Sequence, residues 1–82
     1  MAIELAPHNI QVNAIAPGWI ETDLTVPERT TPAVNDEILA RTPASRWGQP
    51  EDVAGTAVFL ASRASGFVTG TTIRVDGGFA IR

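Results

Sequence analysis

The stretch Pro17-Gly18-Trp19-Ile20-Glu21-Thr22 gathers groups that suit a flat, amide-bearing ligand. Proline fixes one backbone angle, and glycine permits conformations and a close approach that a side chain would forbid. Backbone groups at Ile20 are then free to face a ligand, and the Thr22 hydroxyl both donates and accepts. The plain alternative is a turn that merely follows a strand. Trp19 either lines a substrate cavity beside this turn or packs beneath the irregular chain that follows it.

Other polar groups offer less. His8, the one histidine, has no partner in its neighbourhood and reads as a solvated loop residue rather than a general base. Asp36 and Glu37 are adjacent on a helix and point apart, which makes them an exposed acidic face. Glu51 and Asp52 complement a positive helix end better than they hold a metal. Ser62 and Ser65 have no histidine near them in sequence to activate a nucleophile. Asp76-Gly77-Gly78 supplies a single carboxylate, too few for a cation site, and reads as a turn that ends a strand. No catalytic residue and no metal ligand set emerges.

Composition narrows the classes further. The chain has 82 residues, 44% of them hydrophobic, with seven Gly and six Pro, enough for one domain at most and for a marginal core. Without Cys it has neither disulfides nor a thiolate metal site. Net charge is -3 and the six cationic residues are scattered arginines, which argues against nucleic acid as a partner. No run approaches membrane-spanning length, and the first residues carry an acid where a signal peptide carries bases, so a cytoplasmic address is expected. The chain contains no Tyr and no Lys, so any mechanism that needs a phenol or an ammonium group must obtain it elsewhere.

The elements that position the turn follow from pattern. "MAIELA" reads as the last turn of a helix, stopped by Pro7 and too short to nucleate alone. From Ile10 to Ala16, β-branched residues closed by Pro-Gly predict a short strand buried on both faces. "TVPERTTP" reads as loop. A helix of about three turns starts at Pro32, with Val34, Ile38 and Leu39 on one face, and ends at Thr42-Pro43. The clearest helix begins at Pro50 with Glu51 and Asp52 in its first turn; Val53, Ala57, Leu60 and Ala61 share a face that Ala54 and Val58 widen. Trp47 reads as an anchor at its entrance. A second strand, Thr72 to Val75, closes with Asp-Gly-Gly and is expected to pair in parallel with the first. At about 100° per residue Phe59 falls opposite the core face, beside Gly55, where an aromatic suggests packing by another element.

Four blocks, "IQVNAIAPGWIETDL", "RWGQPEDVAGTAVFLAS", "FVTG" and "IRVDGG", stand in fixed order across essentially the whole chain. Together they resemble the C-terminal third of the short-chain dehydrogenase/reductase family, most closely its bacterial-type sugar, alcohol and 3-oxoacyl reductases. The resemblance implies an α/β fold: the C-terminal part of a Rossmann-like doubly wound parallel sheet, ordered strand, irregular lid, helix, strand. Residues 1–82 would then be a fragment of an NAD(P)-binding domain, incomplete by itself. It implies that Pro17 and Gly18 close around the nicotinamide of NAD or NADP. It further implies that Ile20 meets the carboxamide through its backbone and Thr22 through its hydroxyl, with Trp19 lining the substrate side. Residues between Leu24 and Thr42 would form the lid. The helix carrying Gly55 and Phe59 and the strand carrying Ile73 and Val75 would meet a second subunit of a homo-oligomer.

The same resemblance shows what this sequence does not hold. The family's Gly-rich phosphate-binding turn has no counterpart, and its Tyr-x-x-x-Lys pair cannot occur. The expectation is a contribution to hydride transfer between a dinucleotide and a small alcohol or carbonyl substrate, with neither activity nor tight cofactor binding by the chain alone. A non-enzymatic module or relic fragment that docks on intact subunits is the alternative. Upstream coding sequence with both missing motifs would favour the enzyme fragment.

Overall fold

The computed structural model describes residues 1–81. A short helix, α1 (Ala2–Leu5), runs into a 3-10 turn at Ala6–His8, and Asn9 closes it in the left-handed region with φ 58°. Strand β1 (Ala14–Pro17) follows, then a 3-10 turn at Asp23–Thr25, helices α2 (Val26–Thr30), α3 (Pro32–Ala40) and α4 (Pro50–Ala61), and strand β2 (Thr72–Val75). The two strands pair in parallel, with Ala14 opposite Thr72 and Pro17 opposite Val75. Parallel neighbours need a long crossover, and α4, which packs on both strands, provides it. The fold is α/β, as expected.

Two boundaries differ from the sequence reading. β1 begins at Ala14 rather than Ile10, because before it the regular ladder gives way to one backbone bond, Gly70 N–H to Val12 O at 2.8 Å, and to bonds through side chains. Val12 N–H donates to Thr69 Oγ1 at 3.0 Å, while the Asn13 amide donates to Val68 O at 2.9 Å and accepts from Thr71 N–H at 3.2 Å. The expected loop "TVPERTTP" contains α2. Pro27 lies in its first turn, where a missing N–H costs nothing, and the Thr30 and Thr31 hydroxyls donate to Val26 O and Pro27 O, both at 2.8 Å.

The start of α4 is built as the sequence suggests, with Pro50 in the first turn. Asp52 accepts the Gln49 N–H at 2.7 Å and pairs with Arg46 at 3.0 Å. The Arg46 guanidinium and that backbone N–H hold the Asp52 carboxyl below the usual carboxylate range. A depressed folded-state value means that the contribution is present above the unfolded value and is lost as pH falls through the folded one. In a complete domain carrying this segment, Asp52→Asn should lower the urea midpoint at neutral pH. The difference from wild type should shrink below about pH 4 and in high salt; an unchanged midpoint at neutral pH would remove the cap and ion pair from the account.

Core formation is sparse. Among the described residues, Ile38 and Trp47 are the buried hydrophobic side chains. Trp47 donates its indole N–H to Asn35 Oδ1 at 2.7 Å and meets Trp19 edge to face with ring centroids 5.8 Å apart, tying α3, the Pro17–Thr22 segment and the entrance of α4 together. Neither strand is buried on both faces: Ala14, Pro17, Thr72 and Arg74 are exposed. On α4, Val53 and Leu60 are half-buried beside Asp52 and Thr56, but Ala54, Ala57, Val58 and Ala61 are exposed. Thus the sheet covers only one border of the apolar face read from the sequence.

The accessible surface is 5816 Å², against roughly 4,700 Å² for a compact monomer of this mass. The radius of gyration is 15.6 Å, where a compact chain of this length has about 12 Å.

Candidate functional site

The Pro17–Thr22 segment leaves the carboxyl end of β1, the end at which open parallel sheets bind ligands. Gly18 donates its N–H to Val75 O at 2.9 Å, which carries the pairing with β2 one residue past the strand. Its backbone lies so close to the next turn that an added Cβ would stand 2.6 Å from Asp76 Cβ and 2.7 Å from Asp76 Cα. That contact is with Asp76 Cβ and the backbone atoms beside it, not with the far end of a flexible side chain. In a complete domain, Gly18→Ala should cost about 1–3 kcal/mol of stability by overpacking. Gly48→Ala should cost less, since its new Cβ would meet the flexible Cδ1 end of Ile20. Equal urea midpoints for Gly18→Ala and wild type would contradict this packing.

Beyond Gly18 the chain forms a one-residue parallel bridge to the "RWGQP" block. Gly48 N–H donates to Trp19 O and Glu21 N–H donates to Gly48 O, each at 2.9 Å. In such a bridge the central residue turns its own N–H and C=O to the opposite side. The Ile20 carbonyl there accepts the Thr25 hydroxyl at 2.8 Å. The Ile20 N–H takes part in no hydrogen bond among the described residues. A donor held on a bridged backbone without a partner can serve a carbonyl oxygen, and Gly18 leaves the close approach that a planar ring requires.

Two clefts open around this segment. One of about 270 Å³ lies between Trp19, Ile20 and Gly48 on one side and the Asp76–Gly78 turn on the other, with Arg46 and Asp52 at its wall. The other, of about 430 Å³, is lined by Pro17, Gly18, Trp19, Arg74 and Phe79. Trp19 borders both. Pro17 and Gly18 therefore share one cleft and Ile20 the other, while the exposed Thr22 lines neither. Neither of these two clefts brings Pro17, Gly18, Ile20 and Thr22 together.

The other candidates take the places their chemistry suggests. His8, Asp36 and Glu37 are exposed. The Ser62 hydroxyl donates to Phe59 O at 2.7 Å and that of Ser65 to Leu60 O at 2.9 Å, so both serve the end of α4. Asp76 spends both carboxylate oxygens on backbone, accepting Gly78 N–H at 3.0 Å and Ala80 N–H at 3.1 Å. Gly77 and Gly78 adopt φ of 62° and 90°, which fits this turn against Thr42 and Pro43. Gly55 and Phe59 are exposed on α4, and Ile73 and Val75 are half-buried on β2. No cluster of three or more metal-ligating side chains occurs among the described residues, and no helix there is long and apolar enough to cross a membrane.

Sequence reading passed over three groups that shape the site. Asn13 fastens the 68–71 turn to the start of β1. Gly48 admits Ile20. Thr25, at the end of the Asp23–Thr25 turn, binds both Ile20 and Thr22. A Thr three residues after Thr22 is the spacing of a capping pair and was the available signal.

Comparison with known proteins places this geometry in a family. The family model described as Enoyl-(Acyl carrier protein) reductase matches residues 1–80. The 2-dehydro-3-deoxy-D-gluconate 5-dehydrogenase of Bacillus subtilis (strain 168) is 57% identical over 81 residues, 99% of this chain and 32% of that protein. The gluconate 5-dehydrogenase from Burkholderia cenocepacia J2315, solved with NADP and tartrate, superposes with a TM-score of 0.93 at 45% identity, covering 100% of this chain and 32% of that one. A short-chain type dehydrogenase/reductase from Mycobacterium ulcerans superposes with a TM-score of 0.96 at 43% identity, covering 99% and 30%. The chain thus spans about a third of the length of the curated relatives it matches. Its strands, its bridged Pro17–Thr22 segment and these matches together make it a member of the short-chain dehydrogenase/reductase family of oxidoreductases, with the Rossmann-like fold of that family.

Proposed function

We propose that residues 1–82 are the C-terminal part of an NAD(P)-dependent oxidoreductase that interconverts an alcohol and a carbonyl. The observation that carries this reading is the unpaired Ile20 N–H, presented by the bridge to Gly48 at the carboxyl end of β1. When bound, the dinucleotide would supply the hydride donor or acceptor. The chain's own residues would hold its nicotinamide: Ile20 N–H donating to the carboxamide oxygen, the Thr22 hydroxyl bonding the same group, and Pro17 and Gly18 lying against the ring. Trp19 would border the substrate side, and the helices α2 and α3 between Leu24 and Thr42 would close over it. The gluconate-type relatives favour a sugar acid as substrate, and NAD and NADP both remain candidates. The α4–β2 surface, with Gly55, Phe59, Ile73 and Val75, would be covered by a second copy in a cytoplasmic homo-oligomer. The proton donor and the phosphate cradle would come from outside these residues.

The test is a chimera in which residues 1–82 replace the matching third of the Bacillus subtilis relative. There Thr22→Val should weaken cofactor binding by about 0.5–1.5 kcal/mol, the usual net worth of one hydrogen bond. Unchanged cofactor affinity with unchanged rate would mean that Thr22 faces away from the nicotinamide.

A further inference from the structure

The Thr25 hydroxyl is used to capacity. It donates to Ile20 O at 2.8 Å, with Thr22 O a second and longer acceptor at 3.1 Å, and accepts Thr22 N–H at 3.0 Å and Arg29 Nε–H at 3.4 Å. One donor and two acceptor positions are all that a hydroxyl has. Arg29 reaches past it from α2 and donates a second N–H to Thr22 O at 3.0 Å. Thr25 and Arg29 are both half-buried, which favours holding these bonds against water. Thr25 N–H in turn donates to Thr22 O at 3.1 Å, so the turn is knotted on both sides of its backbone.

The consequence lies at Ile20 and Thr22. In an extended residue the N–H and C=O point to the same side, so fixing the Ile20 carbonyl also fixes the direction of its free N–H. Binding Thr22 through both its N–H and its C=O sets the base from which the Thr22 hydroxyl projects. The groups proposed to read the carboxamide are thereby oriented by one hydroxyl and one guanidinium on the same side of the chain as the free N–H, from residues that line neither cleft. The guanidinium sits on α2, the first helix of the lid segment. Lid placement and pocket geometry are then linked through two side chains.

We infer that Thr25, supported by Arg29, is a positioning residue that orients Ile20 and Thr22 toward the nicotinamide and couples that orientation to the seating of α2. This rests on the pocket-wall reading above. The test uses the chimera and two probes: the intact oxidised dinucleotide, and ADP-ribose (with the matching 2′-phosphate if the domain takes NADP), which lacks the nicotinamide. Thr25→Val should weaken the intact dinucleotide by roughly three- to tenfold, the loss of about one net hydrogen bond, and leave ADP-ribose binding unchanged. Thr25→Ser, which keeps the hydroxyl, should bind both probes as wild type does. Arg29→Met, a milder change should Thr25→Val fail to fold, should show a smaller loss confined to the intact dinucleotide. Equal weakening of both probes, or no weakening of either by any variant, would overturn the inference. If Thr22→Val weakens the intact dinucleotide while Thr25→Val and Arg29→Met do not, only the positioning role falls. If all three leave it unchanged, the pocket wall falls with it.

Discussion

Purified 82-residue chain, mixed with NAD+ or NADP+ and a sugar acid, alcohol or ketone, should give no turnover. The reaction needs a group that delivers or accepts a proton at the carbinol oxygen, and such a group is worth roughly 10²–10⁴ in rate. Among the residues present, His8 is the one imidazole, but it is exposed in the Ala6–His8 turn that precedes β1, whereas Gly18 follows that strand. The serines at the end of α4 spend their hydroxyls on backbone carbonyls. No Tyr or Lys is available, and no Gly-rich turn follows a strand to cradle a pyrophosphate. Dinucleotide binding would thus rest on a few nicotinamide contacts alone. Turnover by pure, mass-verified chain, abolished by Ile20 or Thr22 variants, would show that these residues do chemistry that their types do not suggest.

The second large effect concerns folding. The isolated chain should not persist as a folded monomer. Ordering costs roughly 1.5 kcal/mol per residue, and the buried apolar side chains set against it among the described residues are Ile38 and Trp47. Meanwhile Leu24, Val58 and Phe67 stand 88%, 69% and 104% exposed, an apolar surface that water opposes. Among the described residues β1 and β2 pair only with each other, so each presents an unpaired edge, and such edges invite association. Sedimentation at micromolar concentration should show associated or expanded species, and heating should give a gradual rather than a cooperative loss of structure. A sharp monomer with cooperative unfolding would show that the Trp19–Trp47 cluster and the two-stranded sheet suffice.

What the sequence disclosed and what it withheld divide along a physical line. α4 and β2 were legible because their boundaries are written locally: Pro50 in a first turn, acids behind it, and Asp76-Gly77-Gly78 after β-branched residues. The parallel pairing followed from strand, helix, strand. α2 was hidden because Thr and Pro usually break helices, and only the structure shows Thr30 and Thr31 turning back onto the carbonyls of the preceding turn. The late start of β1 was hidden for a related reason: Asn13 satisfies backbone from 68–71, a pairing far away in sequence. At the site, the turn after β1 was legible. Its orientation was not, because the Ile20 bridge depends on Gly48, and the grip on Ile20 and Thr22 depends on side chains of a segment that reads as loop. Core membership on α4 was legible as a helical face, yet most of that face has nothing against it within these residues.

The central claim is that this chain completes a nicotinamide pocket whose remaining parts lie outside it. Steady-state turnover of the chimera with the Bacillus subtilis relative's upstream two-thirds tests that claim most directly, assayed beside each half alone. The account predicts NAD(P)-dependent alcohol–carbonyl turnover by the chimera and none by either half. A folded but inactive chimera, together with an upstream two-thirds that alone binds dinucleotide as tightly as the chimera does, would contradict it.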